Sequence, residues 1–340
     1  MHNLYIWQEP LWQRWIGIRA RLPNALLIKG PRGIGKLDFA MHVAASMLCT
    51  NQDAAGHACQ TCPSCHWFEL GIHPDFRLIQ PDVLSDIEEG EEREATKKKP
   101  SHQIPVEQIR SLSDFANLSA HQGGYQIVLV HPAEAMNQSA ANALLKTLEE
   151  PSDHMLLILL THKPQQLLPT ILSRCMTLAA PTPEREASST WLREQGISEP
   201  DAALAQAGFA PLVALEIAQA TVGEENGGSR LLLQAIRQPA KFDAYALAEQ
   251  LQKAELANVV LWMQQWCYDL LSTKLTGHIR YNLQFIDNIK LISSDMTILN
   301  ILRYQKELLV AQREALHTLN PKLFLESILH AYRHMALARM

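Results

Sequence analysis

Gly30-Pro31-Arg32-Gly33-Ile34-Gly35-Lys36-Leu37 follows the apolar run Asn24-Ala25-Leu26-Leu27-Ile28-Lys29 and opens onto residues 36–48, where Phe39, Val43 and Met47 recur every four positions. Apolar residues at that spacing share one face of a helix. The order is therefore strand, glycine loop, helix, the context in which a phosphate-binding loop works. Such a loop needs Gly, four free residues, Gly-Lys, then Ser or Thr, and it cradles an anion on converging backbone N–H groups at a helix N-terminus. Gly30, Gly33, Gly35 and Lys36 are the candidate phosphate-binding residues, against the plain reading of a glycine-rich turn. Leu37 stands where a hydroxyl should meet Mg²⁺, and a hydrocarbon cannot ligate a hard cation.

Hydrolysis also needs acidic residues at the tip of a second strand, to hold Mg²⁺ and position water. The strand expected at 125–130 (Tyr-Gln-Ile-Val-Leu-Val) is followed by His131-Pro132-Ala133-Glu134. His131-Pro132 occupies the place of the acidic pair, and Glu134 reads as too far along to reach the tip. Two magnesium-related positions thus lack oxygen ligands, so the loop is expected to be degenerate, with no ATP hydrolysis by this chain.

Further short apolar runs at 76–79, 155–160 and 176–179 alternate with helical patterns at 106–118 and 139–149. Alternation of this kind predicts an α/β domain, a mostly parallel sheet with helices on both faces. Pro181-Thr182-Pro183 closes it, and two short helical patterns follow at 184–195 and 201–207. From Ser229 onward the chain has one glycine and two prolines, with long amphipathic stretches at 255–275, 296–319 and 322–338, which read as an all-helical bundle. The segment 82–103 runs acidic and then basic with little to bury, and reads as a solvated insertion.

With 340 residues, 47% hydrophobic and 19% charged, the chain has the makeup of a soluble multidomain protein. Its net charge of −5 gives no whole-chain signature of nucleic-acid binding. No apolar stretch is long enough to span a bilayer and the first residues lack signal-peptide character, so a cytoplasmic location is expected.

Cys49 and the run Cys59-Gln60-Thr61-Cys62-Pro63-Ser64-Cys65 gather four of the six cysteines. In a reducing compartment such a cluster favours a metal over disulfides. A structural zinc site with all four thiolates as ligands is expected; an iron–sulfur cluster and free thiols are the alternatives. Ser173-Arg174-Cys175 lies just ahead of the last strand. Arg174 reads either as a surface ion-pair partner or as an arginine finger reaching a neighbour's γ-phosphate.

The glycine loop, the Cys-x₂-Cys-x₂-Cys run, Asn142-Ala-Leu-Leu-Lys-Thr-Leu-Glu-Glu-Pro151 and Ser173-Arg174-Cys175 together resemble bacterial clamp-loader subunits of the AAA+ class. The specific motifs cover about the first 210 residues. The resemblance implies a P-loop AAA+ domain at 1–180, a small helical lid at 181–210 and an all-α collar at 211–340. It implies a place in the DNA polymerase III holoenzyme, loading a sliding clamp onto primed DNA. The implied partners are gamma or tau motor subunits and a delta subunit in a five-membered ring, the clamp, and primer-template DNA. Leu37 and the absent acidic pair point to a non-hydrolysing member, for which Arg174 would be the finger donated in trans and Cys49, Cys59, Cys62 and Cys65 the zinc ligands. Thr161 would lie where active members sense the γ-phosphate. Gly208-Phe-Ala-Pro211 lacks their sensing arginine, and Arg110 is a candidate DNA contact. The competing readings are an ATP-hydrolysing motor subunit that tolerates Leu37, and a zinc-dependent nucleic-acid binder.

Overall fold

The computed structural model describes residues 4–19, 21–85, 100–116, 121, 124–152, 154–223, 227–315, 317 and 319–337. The charged insertion read at 82–103 lies for the most part outside them.

Helix α1 (Glu9–Arg19) precedes β1 (Ala25–Lys29), α2 (Lys36–Leu48), α3 (Pro63–Glu69) and β2 (Phe76–Ile79). Then come α4 (Val106–Ala116), β3 (Gln126–Val130), α5 (Gln138–Glu149), β4 (Met155–Thr161), the short α6 (Pro169–Leu172) and β5 (Met176–Ala179). The five strands pair in the order β2-β3-β4-β1-β5, every pair parallel, as the alternation of runs predicted. The three inner strands read as unbroken apolar runs because helices cover both faces.

Successive strand side chains point to opposite faces, and here that alternation divides two cores. Leu26 and Ile28, Ile127 and Leu129, and Leu156, Ile158 and Leu160 pack with Trp12, Trp15, Phe39 and Val43 of α1 and α2. Ala25 and Leu27, Val128 and Val130, and Met155, Leu157 and Leu159 pack with Ile109, Leu112 and Leu144 of α4 and α5. Parallel strands all end on one side, so the residues following β1, β3 and β4 share one edge, where open α/β sheets bind ligands.

The chain divides into two compact units, Met1–Ala187 and Ser188–Met340. The division falls inside α7 (Arg185–Glu194), a few residues beyond the break expected at 180. In the second unit α8 (Pro200–Gln206) and α9 (Pro211–Gly223) share a small apolar cluster, Leu192, Leu204 and Ala214. A larger core joins α10 (Gly228–Ile236), α11 (Ala244–Leu251), α12 (Leu256–Thr276), α13 (Ile286–Asp295), α14 (Ile298–Glu314) and α15 (Pro321–Leu337). Its centre is polar but satisfied: Trp266 Nε1 donates to Tyr332 Oη at 3.0 Å, and that hydroxyl donates to the Ile236 carbonyl at 2.9 Å. Among the described residues no single helix is long and apolar enough to cross a membrane.

Candidate functional site: a phosphate loop, four cysteines and an exposed arginine

The loop after β1 turns through Gly33 (φ 76°) and Gly35 (φ 82°), both in the left-handed region that glycine enters freely. A side chain at Gly30 would collide with the Ala180 carbonyl oxygen, so the first glycine lets the loop pass under β5's end. Lys36 opens α2 and is 3% exposed. Its ammonium donates to the Gly30 carbonyl at 2.8 Å and to that of Pro31, so it is satisfied by the loop's own backbone. Burial lowers its pKa to about 8, with the charge of Glu134 opposing the shift. Leu37 is half-buried and packs against the core that holds Phe39 and Ala40. Its side chain is part of the apolar layer.

His131 follows β3, and His162 follows β4 beside it, with ring centroids 5.4 Å apart and nearly perpendicular. Burial first, then the nearby Lys36 ammonium, push both imidazoles down to about 4. The expectation that Glu134 lies too far from the strand tip needs correction. The Ala133–Ala135 turn, one turn of 3₁₀ helix, folds the chain back so that Glu134 Oε1 accepts the His162 N–H at 3.0 Å. Glu134 therefore stands at the strand tips, among Lys36, His131 and His162, whose titration it influences. Its second oxygen and the Nδ1 atoms of both histidines are buried with no hydrogen-bond partner among the described residues. Thr161 is fully buried; its hydroxyl accepts the Lys163 N–H at 3.1 Å, and its carbonyl accepts the Gly30 N–H at 3.3 Å.

Three loop neighbours carried no signal in the sequence. Trp7 Nε1 donates to the Ile34 carbonyl at 3.0 Å, and Gln8 Nε2 donates to those of Gly35 (2.6 Å) and Ile34 (3.3 Å). The Tyr5 ring stacks on Trp7 at 4.8 Å, and its phenol, pushed up to about 12 by burial and by Asp38, is hydrogen-bonded to that carboxylate.

The four cysteines converge. Every Sγ lies within 4.8 Å of the others, with Cys49–Cys62 at 3.9 Å and Cys59–Cys65 at 4.0 Å, close enough to hold one metal ion. Cys49 comes at the end of α2, and Cys62 caps α3, accepting the Cys65 N–H at 3.4 Å. Cys49 Sγ accepts the N–H groups of Asn51 (3.4 Å) and Cys59 (3.2 Å). The connecting loop is tied back to the domain core. Trp12 stacks on His57 at 4.6 Å, His57 Nδ1 pairs with His42 Nε2 at 2.9 Å, and Ser46 donates to the Gly56 carbonyl at 2.8 Å.

Arg174 follows α6 with an exposed side chain. It pairs through Nη2 with Glu149 Oε1 at 2.6 Å and donates through Nη1 to the Thr170 carbonyl at 3.1 Å. Among the described residues it makes no bond to this chain's own phosphate loop. Cys175 beside it packs into the core under α5 and α6, and burial raises its thiol to about 11. Arg110 is exposed on α4. In the second unit Gly208 and Phe209 both take positive φ (65° and 67°), and the Arg280 guanidinium lies 5.0 Å over the Phe209 ring.

A family model described as DNA polymerase III, delta subunit, matches residues 10–184. The DNA polymerase III subunit delta' of Pseudomonas aeruginosa is 38% identical over 97% of this chain and 97% of its own length. The tau subunit of Escherichia coli is 33% identical over 46% of this chain and 21% of its own length. A DNA polymerase III gamma subunit-related structure from Thermotoga maritima superposes over 96% of this chain and 99% of its own, at 18% identity and a TM-score of 0.42. On the family match and the near full-length relative, the chain belongs to the delta' subunits of DNA polymerase III.

Proposed function

We propose that this chain is the non-hydrolysing subunit of the polymerase's clamp loader, supplying a fixed AAA+ wall and an arginine to a neighbour that burns ATP. The observation that carries the reading is Leu37 packed into the apolar layer where a Mg²⁺-binding hydroxyl is required. His131-Pro132 at the tip of β3 agrees with it. With magnesium unsupported, the loop has lost the cation that neutralises developing charge in phosphoryl transfer.

Arg174 is the finger. It is exposed, and its guanidinium bonds to Glu149 and the Thr170 carbonyl. A finger of this kind stabilises transition-state charge on a γ-phosphate bound by another subunit. The partners are gamma or tau motor subunits and delta in a hetero-pentameric ring, acting on the sliding clamp and primer-template DNA, in the cytoplasm. The helical bundle forms the collar that holds the ring.

Cys49, Cys59, Cys62 and Cys65 hold a structural zinc ion. Around a tetrahedral ion with metal–sulfur distances of about 2.3 Å, sulfurs stand roughly 3.8 Å apart, close to the 3.9 and 4.0 Å pairs here. All four ligands come from the protein, so no position is left open for chemistry.

Two observations favour a second reading, an ATP-hydrolysing motor subunit: Lys36 is retained and Glu134 reaches the strand tips. Magnesium-dependent hydrolysis by the isolated chain and by a reconstituted loader separates the two. The first reading expects no turnover alone and a raised DNA-stimulated rate when the chain joins motor and delta subunits. Turnover by the isolated chain that is lost in Lys36→Ala would establish the second.

A further inference from the structure

Two chain segments carry the clustered cysteines, and Ser64 ties them together. Cys49 follows the last residue of α2, while Cys62 and Cys65 belong to the first turn of α3. Ser64 lies between the latter two and is 1% exposed. Its hydroxyl donates at 2.6 Å to the carbonyl of Leu48, the residue before Cys49. One side-chain bond therefore joins the end of α2 to the turn of α3, across which the Cys49 and Cys62 sulfurs stand 3.9 Å apart.

A carbonyl has no hydrogen to give, so the one hydroxyl hydrogen of Ser64 is committed to Leu48, and its oxygen can only accept on the other side. The group there is His73, 3% exposed, with Nε2 2.9 Å from Ser64 Oγ. Its Nδ1 accepts the Asp75 N–H at 3.1 Å, which again leaves Nε2 as the donor. Both ends of the network thus select the same neutral tautomer of His73. Asp75 is 5% exposed and fixed in turn: its Oδ1 accepts the His121 N–H at 2.9 Å, and its carbonyl accepts the Ile127 N–H of β3 at 2.9 Å. A chain of buried bonds, each with one allowed direction, runs from β3 through Asp75, His73 and Ser64 to the backbone beside Cys49. A buried polar network with every member satisfied is rigid and specifies one arrangement.

We propose that Ser64 and His73 are positioning residues of the metal centre, holding the ends of α2 and α3 at the separation that one tetrahedral ion requires. This rests on the reading of the four cysteines as a zinc site. Neither side chain is a ligand; both act through the backbone that carries Cys49, Cys62 and Cys65. When the Ser64–Leu48 bond is lost, the two ends are free to separate, and drawing the sulfurs together then works against metal binding. Loss of groups that orient metal ligands weakens affinity by about 10–100-fold. A serine that merely stabilised α3 would lower the melting temperature and leave the affinity alone.

The test measures zinc affinity of the full chain by competition with a chromophoric chelator, and ligand geometry from the visible absorption of the cobalt(II)-loaded form. Ser64→Ala and His73→Leu are each expected to weaken zinc binding by about tenfold or more. Both are expected to shift and weaken the cobalt bands that report a tetrahedral thiolate field. His73→Gln returns an N–H donor at the place of Nε2 and is expected to recover most of the affinity and the cobalt spectrum. A loss below tenfold in Ser64→Ala, with the cobalt spectrum unchanged, overturns the proposal and leaves the zinc reading standing, whatever happens to the melting temperature. Equal affinity in His73→Gln and His73→Leu overturns it as well, and that comparison decides if Ser64→Ala does not fold. An unmodified chain that takes up neither metal removes the zinc reading and the proposal together.

Discussion

Arg174 and Glu149 are joined end to end, Nη2 to Oε1 at 2.6 Å, across the gap between α5 and the residues after α6. Both side chains are substantially exposed, at 36% and 52%. An exposed pair adds little stability, under about 1 kcal/mol, so its interest lies in orientation. Arg174→Ala is expected to leave ring assembly intact and to lower the DNA-stimulated ATPase rate of the reconstituted loader at least tenfold, a conservative share of what an arginine finger supplies. Glu149→Gln is expected to shift the melting temperature little and to cost rate by a smaller factor, because the guanidinium keeps its bond to Thr170. Steady-state ATPase assays with and without primed DNA check both, and an unchanged rate in Arg174→Ala removes the finger assignment.

Removing the metal should be felt well beyond the cysteines. The loop they close is packed on Trp12 through His57 and bonded to α2 through Ser46. A structural zinc site in a small module contributes on the order of 10 kcal/mol to folding it, and the surrounding core retains part of the structure without it. Cys59→Ser, or a strong chelator, is therefore expected to lower the melting temperature of the first unit by ten degrees or more and to change Trp12 fluorescence. Elemental analysis should return one zinc per chain before treatment and none after. Iron with sulfide in place of zinc would replace the assignment.

The strands were legible because β1, β3 and β4 are buried on both faces and so appear as bare apolar runs bounded by polar residues. The cysteine cluster was legible because its ligands lie close in sequence. Helix α1 was not: its buried positions are Leu11, Trp12 and Trp15, with Ile16 and Ile18 only partly buried, and only burial against α2 reveals the face. Glu134 was misjudged by counting along an extended chain, since the 3₁₀ turn that brings it back to the strand tips has no strong local signature. Leu37 announced the loss of a magnesium ligand, yet nothing in the sequence showed that it joins the core. The Tyr5–Gln8 turn acts on residues more than twenty positions away, and no periodicity or spacing marks such a contact.

Restoring one ligand should not restore the enzyme. Leu37→Thr puts a hydroxyl where Mg²⁺ would need it, but His131-Pro132 still occupies the place of the acidic pair. Hydrolysis by the variant alone is expected to stay at background. Because Leu37 packs against the α1–α2 core, the change is expected to cost about 1–2 kcal/mol, measured by urea unfolding. Turnover in this single variant would show that Glu134 suffices as the acidic partner and would favour the motor-subunit reading.

The buried histidines give stability a dependence on acid. In the folded chain His131 and His162 sit at about 4, against 6.5 for a free imidazole, so below pH 6.5 the unfolded chain takes up protons that the folded chain refuses. Stability is set by the difference in bound protons, and it therefore falls as pH drops from about 6.5 to 4, levelling off below that. No such loss accrues above 6.5 from these groups. Lys36 runs the same way higher up: its folded value of about 8 against 10.5 makes stability rise with pH between those values. Each group contributes on the order of 1–3 kcal/mol across its window, burial being incomplete. Urea midpoints measured from pH 4.5 to 7 should decline toward acid. The double variant His131→Gln with His162→Gln should flatten that decline, and a profile equally steep in the variant would mean that other groups carry it.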